Sequence, residues 1–179
     1  MQKNYADLAA QRHRDSSQGI LYISSGLPGA GKSTFLKNYK KPNEVIVSRD
    51  EIRFSMRRNE KEEYFAHEKK VYNTFIQEII KNLKTGNNVY ADATHLTPQS
   101  HIKLLNAVLQ KAAPSRIELI CFDVPLITCL QRNEKRKNTK AFVPPIIICK
   151  MAKSINLSPC VYIDQTWRID EDGNVSKEQ

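Results

Sequence analysis

The chain has 179 residues and carries 28 Lys and Arg against 19 Asp and Glu, a formal charge of +9 at pH 7. With 40% apolar and 26% charged residues it is long enough and apolar enough for one well-buried domain, which excludes a disordered chain. The longest apolar run, near Val143 to Cys149, is too short to cross a bilayer, so no membrane partner is expected. The positive surplus instead points to an anionic one.

Residues 1–18 are polar, with Arg12, His13 and Arg14, and read as an arm or a short helix with no secretory leader. Ile20 to Ile23 is an apolar run of buried-strand type. It leads into Gly26-Leu27-Pro28-Gly29-Ala30-Gly31-Lys32-Ser33-Thr34, which matches G-x-x-x-x-G-K-[ST], and Phe35 onward reads as a helix. Strand, glycine loop and helix in this order form a cradle for phosphate. The glycines let successive N–H groups converge on one anion, and the helix adds its positive N-terminal end. Lys32 is expected at the β- and γ-phosphates of ATP, with the Ser33 hydroxyl on Mg²⁺. The chain is therefore expected to bind a nucleoside triphosphate.

After a turn at Lys41-Pro42-Asn43, Val45 to Val47 predicts a second strand ending at Ser48-Arg49-Asp50. The basic stretch Arg49 to Arg58 predicts a helix opening. Lys61 to Leu83 carries the clearest helical period, with Tyr64, Glu68, Tyr72, Phe75, Ile79 and Leu83 stepping at three and four and Gly86 as its cap. Asn88 to Ala91 predicts a third strand running into Asp92-Ala93-Thr94-His95, and Pro98 opens a helix to about Lys111. Arg116 to Phe122 is a fourth strand, Leu126 to about Lys137 a helix, and Pro144-Pro145 the start of another. Cys160 to Ile163 reads as a fifth strand, and from Asp170 the tail is acidic, polar and peripheral.

Strands alternating with helices predict an α/β fold of P-loop kinase type: a mainly parallel five-stranded sheet, helices on both faces and a helical lid. The expected division is an arm at 1–18, a kinase domain at 19–169 with its lid at about 126–155, and a polar tail at 170–179. Cys121, Cys129, Cys149 and Cys160 form no CxxC pair and no metal-ligand spacing with the four histidines. Reduced thiols in a cytoplasmic protein are expected.

Ligands of such sheets bind at the carboxyl ends of strands, where three groups fall. Asp50 after the second strand suits a general base that takes a proton from an attacking hydroxyl, with Arg49 and Arg53 holding an anionic acceptor. It would equally serve as a helix N-cap. Asp92 and Thr94 after the third strand suit metal waters or the acceptor, or a plain capping turn. His95 and His101 read as surface or turn residues. Arg132 and Arg136, four apart on one helix face, suit a lid over a triphosphate, or a solvated basic helix end.

Together these strings are similar to the kinase domain of bacteriophage-type polynucleotide 5′-kinases. The likeness runs through Gly26 to Thr34, Ser48-Arg49-Asp50-Glu51-Ile52-Arg53, Asp92-Ala93-Thr94-His95-Leu96-Thr97-Pro98, Phe122 to Pro125, Arg132 to Arg136 and Val143-Pro144. It covers roughly residues 20 to 165. It implies transfer from ATP to the 5′-hydroxyl end of DNA or RNA, with Asp50 as base and Arg53 on the acceptor's 3′-phosphate. Lys32 and Ser33 would serve the phosphates and Mg²⁺, Arg132 and Arg136 the lid, and Arg49, Asp92 and Thr94 the acceptor side. The chain departs from the family in lacking the D-x-D-x-[TV] motif of an attached phosphatase, so kinase activity alone is expected. Position 93 is Ala where some members are polar. Two rivals stay open: a kinase of a small alcohol such as a nucleoside, sugar or nucleotide sugar, and a nucleotide-gated binding or switch ATPase.

Overall fold

The computed structural model describes residues 15–56 and 67–178. The arm at 1–14, Arg57, Arg58, Tyr64 and Phe65 lie outside the described residues. Six strands form one sheet: β1 (Ile20–Ser25), β2 (Glu44–Ser48), β3 (Asn88–Asp92), β4 (Arg116–Phe122), β5 (Gln165–Ile169) and β6 (Val175–Glu178). Their spatial order is β2-β3-β1-β4-β5-β6, parallel throughout except for the antiparallel β5–β6 pair. The helices are α1 (Lys32–Tyr39), α2 (Arg49–Met56), α3 (Glu68–Lys84), α4 (Pro98–Val108), α5 (Leu126–Glu134) and α6 (Pro145–Lys153).

The strand pleat sorts the side chains into two layers. On one face Leu21, Ile23, Val89, Ala91 and Leu119 meet Phe75, Ile79 and Leu83 of α3 and Leu104, Leu105 and Val108 of α4. On the other, Tyr90, Ile120, Phe122 and Ile169 pack with Leu36 of α1 and with Leu27 and Ala30 of the phosphate loop. That second face also carries a stacked Tyr22–Tyr90 pair, ring centroids 4.5 Å apart. Two carboxylates close the layer: the Tyr90 hydroxyl donates to Glu44 at 2.9 Å and the Trp167 indole N–H to Glu118 at 2.6 Å. Tyr22 is pushed up to about 12 by burial and by those two acids.

Local chemistry explains the boundaries. Thr97 and Ser100 form a reciprocal capping box at the start of α4, with Pro98 in the first turn. Gly86, at φ +82°, closes α3 through its N–H to the Leu83 carbonyl.

The fifth strand lies later in the chain than its predicted place. Cys160 to Ile163 form a turn, and β5 is Gln165–Ile169. The misleading signal is physical: Cys160 and Tyr162 are buried while Val161 is 82% exposed, an alternation that mimics a strand. These two side chains plug the first core layer without joining the ladder. Asp164 then docks the chain onto β4, its N–H on the Ile117 carbonyl and its carboxylate on the Ile117 N–H. The segment from Asp170 turns back and adds β6, so the sheet has six strands where five were expected.

Gly19 marks the tightest backbone approach of the sheet's entry. A β-carbon there would stand 1.7 Å from the Asn87 carbonyl oxygen. Gly19→Ala should therefore lower stability by ~3 kcal/mol, the upper end of the cost of overpacking. Urea melts of the two proteins read the difference directly.

Candidate active site

The phosphate loop leaves β1 at the middle of the sheet and enters α1 at Lys32. Two of its glycines have structural work that only glycine does. Gly29, at φ +87°, faces α5 so closely that a β-carbon would lie 2.3 Å from the Cys129 carbonyl oxygen. Gly31, at φ +95°, precedes the helix in a left-handed conformation. The Lys32 ammonium curls into the loop and donates to the Gly26 and Leu27 carbonyls, each at 2.9 Å. Burial holds its pKa down, against the pull of Asp92 and Asp50, while Arg136 pushes it further down. The field at Lys32 thus gathers Asp50, Asp92 and Arg136, three residues far apart in sequence.

Asp92 ends β3 under the loop, 5% exposed. It accepts from the Ser33 hydroxyl at 2.7 Å and the Ser24 hydroxyl at 3.4 Å. Burial raises its pKa, and the Ser33 bond and Lys32 oppose that rise. A hydroxyl and a carboxylate side by side are hard oxygen donors of the kind a small divalent cation takes. Among the described residues no group of three or more His, Cys, Asp or Glu forms a metal cage. A cation here would need phosphate oxygens to complete its shell.

Across from the loop, α2 presents Arg49, Asp50 and Arg53. Arg53 is 6% exposed, pairs with Asp50 one turn back, and turns its Nε and Nη2 onto Glu68 at 3.1 Å. Arg49 pairs with the same Glu68 and lies over the Tyr72 ring, 5.4 Å from its centroid. Its Nε is buried without a hydrogen-bond partner among the described residues. Glu68 is the residue that sequence reasoning missed. Its signal was visible, since a carboxylate stands within an otherwise apolar helical stripe.

The segment expected to form a lid is a helical hairpin of α5 and α6. Arg132 on α5 reaches the Ala30 carbonyl of the loop at 3.4 Å and the Glu171 carbonyl of the β5–β6 turn at 2.6 Å. Arg136 lies beyond the end of α5, half-buried. Asn133, 1% exposed and also missed, clasps both the N–H and the carbonyl of Val143 at 3.0 and 2.7 Å, closing the hairpin ahead of α6. Where Leu27 meets Phe122, Val124, Leu126 and Ile155, a cavity of about 490 Å³ opens, with Ser158 and the Asp123–Arg168 pair as the polar groups of its wall.

Two expectations need correction: His95 and His101 are not surface residues, being 7% and 0% exposed. The His95 Nδ1 meets the Ser24 carbonyl at 3.1 Å, and the His101 Nε2 meets the His95 carbonyl at 2.8 Å. Burial drags the His95 imidazole down to about 3 and lowers His101 as well. Because the folded pKa lies below the unfolded one, the unfolded chain takes the proton first. Stability should therefore be full above about pH 6.5 and fall on acidification, by about 1.4 kcal/mol per pH unit for His95. Asp92, raised, acts with the opposite sign in both proteins of a comparison. Urea melts of the parent and His95→Gln from pH 7 to pH 5 should show the steeper loss in the parent.

The family described as AAA domain matches residues 21–156. No curated protein matches the chain. Two chains from structures of the Pnkp1/Rnl/Hen1 complex, one of them titled an RNA repair complex, are similar at 27% identity with TM-scores of 0.65 and 0.56. The likeness covers 79% and 67% of this chain but 45% and 40% of those, so the present chain spans less than half their length. A sugar kinase from Janibacter sp. HTCC2649 shares the fold, with a TM-score of 0.57 at 12% identity over 88% of this chain and 87% of that one. The fold is that of a P-loop kinase, and no helix among the described residues is long and apolar enough to cross a membrane.

Proposed function

This chain belongs to the AAA domain family, and on that premise we propose that it is a polynucleotide 5′-kinase, moving the γ-phosphoryl group of ATP to the 5′-hydroxyl end of a DNA or RNA strand. The observation that carries the reading is the α2 constellation: a carboxylate, Asp50, beside a buried arginine whose edge is already forked onto a carboxylate. A guanidinium held in that geometry matches a phosphate as well as a carboxylate. An acceptor bearing a phosphate next to its hydroxyl therefore fits better than a neutral sugar. The formal charge of +9 and the 27% likeness to chains of an RNA repair complex support the same acceptor. The sugar-kinase likeness, at 12% identity, concerns the fold alone.

In this reading Asp50 takes the proton of the 5′-hydroxyl, whose oxygen attacks the γ-phosphorus while ADP leaves with the bridging oxygen. Arg53 and Arg49 hold the strand's phosphate, and Thr94 lines the acceptor side. Lys32 swings from the Gly26 and Leu27 carbonyls onto the β- and γ-phosphates, and the loop from Gly26 to Thr34 wraps the rest of the polyphosphate. Ser33, with Asp92 behind it, would hold Mg²⁺, which supplies charge neutralisation on the phosphate oxygens. Arg132 and Arg136 close over the transferring group.

A transfer assay with labelled γ-phosphate, offering a 5′-hydroxyl oligonucleotide beside nucleosides and sugars, should label the oligonucleotide. Label on a sugar or nucleoside alone would overturn the acceptor assignment. Asp50→Asn keeps the size and the hydrogen bonding of the side chain but cannot take the proton. It should slow single-turnover transfer by ~10²–10⁴ with ATP binding intact. Transfer within about threefold of the parent would instead leave Asp50 as the structural partner of Arg53; it is not the helix cap, since it lies inside α2 and Ser48 accepts the Glu51 N–H at 3.4 Å.

A further inference from the structure

We infer that His95 is a positioning residue that fastens the acceptor-side loop, Asp92–Thr97, to the phosphate loop, so that the two substrate-holding segments keep one geometry. The inference rests on the kinase reading for the roles of Asp92 and Thr94, and on three independent features of the structure.

The first is backbone strain. His95 has φ +36°, the only positive value for a non-glycine among the described residues. A side chain in that region is strained and persists where its surroundings over-determine it.

The second is what over-determines it. The Ser24 carbonyl binds the His95 Nδ1, which therefore carries the ring proton. The His95 carbonyl accepts from the Ser25 hydroxyl at 2.6 Å and from the His101 Nε2 at 2.8 Å. One residue earlier, the Thr94 carbonyl accepts the Gly26 N–H at 3.0 Å. One residue later, the Leu96 carbonyl accepts the Asn156 N–H at 2.8 Å. Three consecutive carbonyls are thus tied to the end of β1, the first residue of the phosphate loop, α4 and the segment following the lid. The tie at Gly26 is the one that matters for chemistry, because Gly26 and Asp92 flank the same lysine and serine.

The third is an unsatisfied group. His101 is fully buried, and its Nδ1 has no hydrogen-bond partner among the described residues. Leaving such an atom bare forfeits the hydrogen bond it would make to water in the unfolded chain. An ordinary apolar residue at 101 would avoid that cost but would release the His95 carbonyl. Strain at one histidine and an orphan nitrogen on the other converge on one carbonyl, beside the groups proposed to meet the metal and the acceptor.

Two amides read the fastening directly, whatever the activity: Gly26, held by Thr94, and Asn156, held by Leu96. In His95→Ala both should exchange with solvent about tenfold faster by NMR, while core amides such as Ile23 and Leu119 keep their protection. Transfer should fall on the order of 10²-fold in kcat, with the KM for ATP within about threefold of the parent. His95→Asn, which tolerates the left-handed backbone, should recover most of both effects. Unchanged exchange at Gly26 with near-parental turnover in His95→Ala would overturn the inference. So would a uniform loss of protection across the core, which would make His95 a packing residue. If the parent transfers phosphate to no acceptor, the kinase reading fails, and the exchange comparison still decides the role of His95.

Discussion

A buried ammonium governs the architecture of this site. Lys32 is 9% exposed, and its charge rests on two carbonyls of the loop. Carbonyl dipoles are a weak substitute for water, which is why burial pulls its pKa down. The nearby carboxylates of Asp92 and Asp50 restore part of what desolvation removes. A polyphosphate, with several negative charges, would restore far more, so on the proposed reading nucleotide binding relieves a tension that folding creates. The glycine pattern, the parallel strand ends and the lid helix all place groups around that one charge.

The surroundings of Lys32 also explain why the loop is packed so tightly on its far side. Gly29 rests against the Cys129 backbone, and Arg132 of the same helix reaches back to the Ala30 carbonyl. The helix that bears the lid therefore doubles as one wall of the cradle. On the opposite side, Thr94 holds Gly26. The loop is clamped from two directions, and a clamped loop presents its N–H groups without further reorganisation, the condition under which fixed dipoles act most strongly on developing charge.

Much of this was legible in the sequence because the signals were local. The phosphate loop, the capping turn at Thr97-Pro98 and the apolar period of α3 each depend on residues within a few positions of one another. Asp50, Asp92, Lys32 and Arg136 were legible as candidates because strand ends in a parallel sheet converge. What escaped depended on long-range partners. Glu68 gains meaning only once α3 is laid beside Arg53, and Asn133 only once the hairpin brings Val143 to it. The histidines were misread because a polar residue after a strand resembles a turn. Nothing local announces that the Ser24 carbonyl waits 71 residues away. The fifth strand was misplaced because Cys160 to Ile163 is a continuous apolar run of strand composition, whereas it folds as a turn that buries Cys160 and Tyr162.

The β5–β6 hairpin carries a consequence for how this protein is handled. Residues 170–178 read as an acidic appendage, the sort of terminus trimmed to improve a sample. Yet Arg132 divides its guanidinium between the Ala30 carbonyl of the phosphate loop and the Glu171 carbonyl, while Thr128 donates to the Glu171 carboxylate at 2.8 Å. Removing the last ten residues would strip the outer strand from the sheet and one of the two anchors from the arginine that rims the nucleotide cradle. A shortened version could look folded by every spectroscopic test and still present a loosened donor site. The boundary of the working unit therefore lies beyond β6, on the far edge of the sheet from β2.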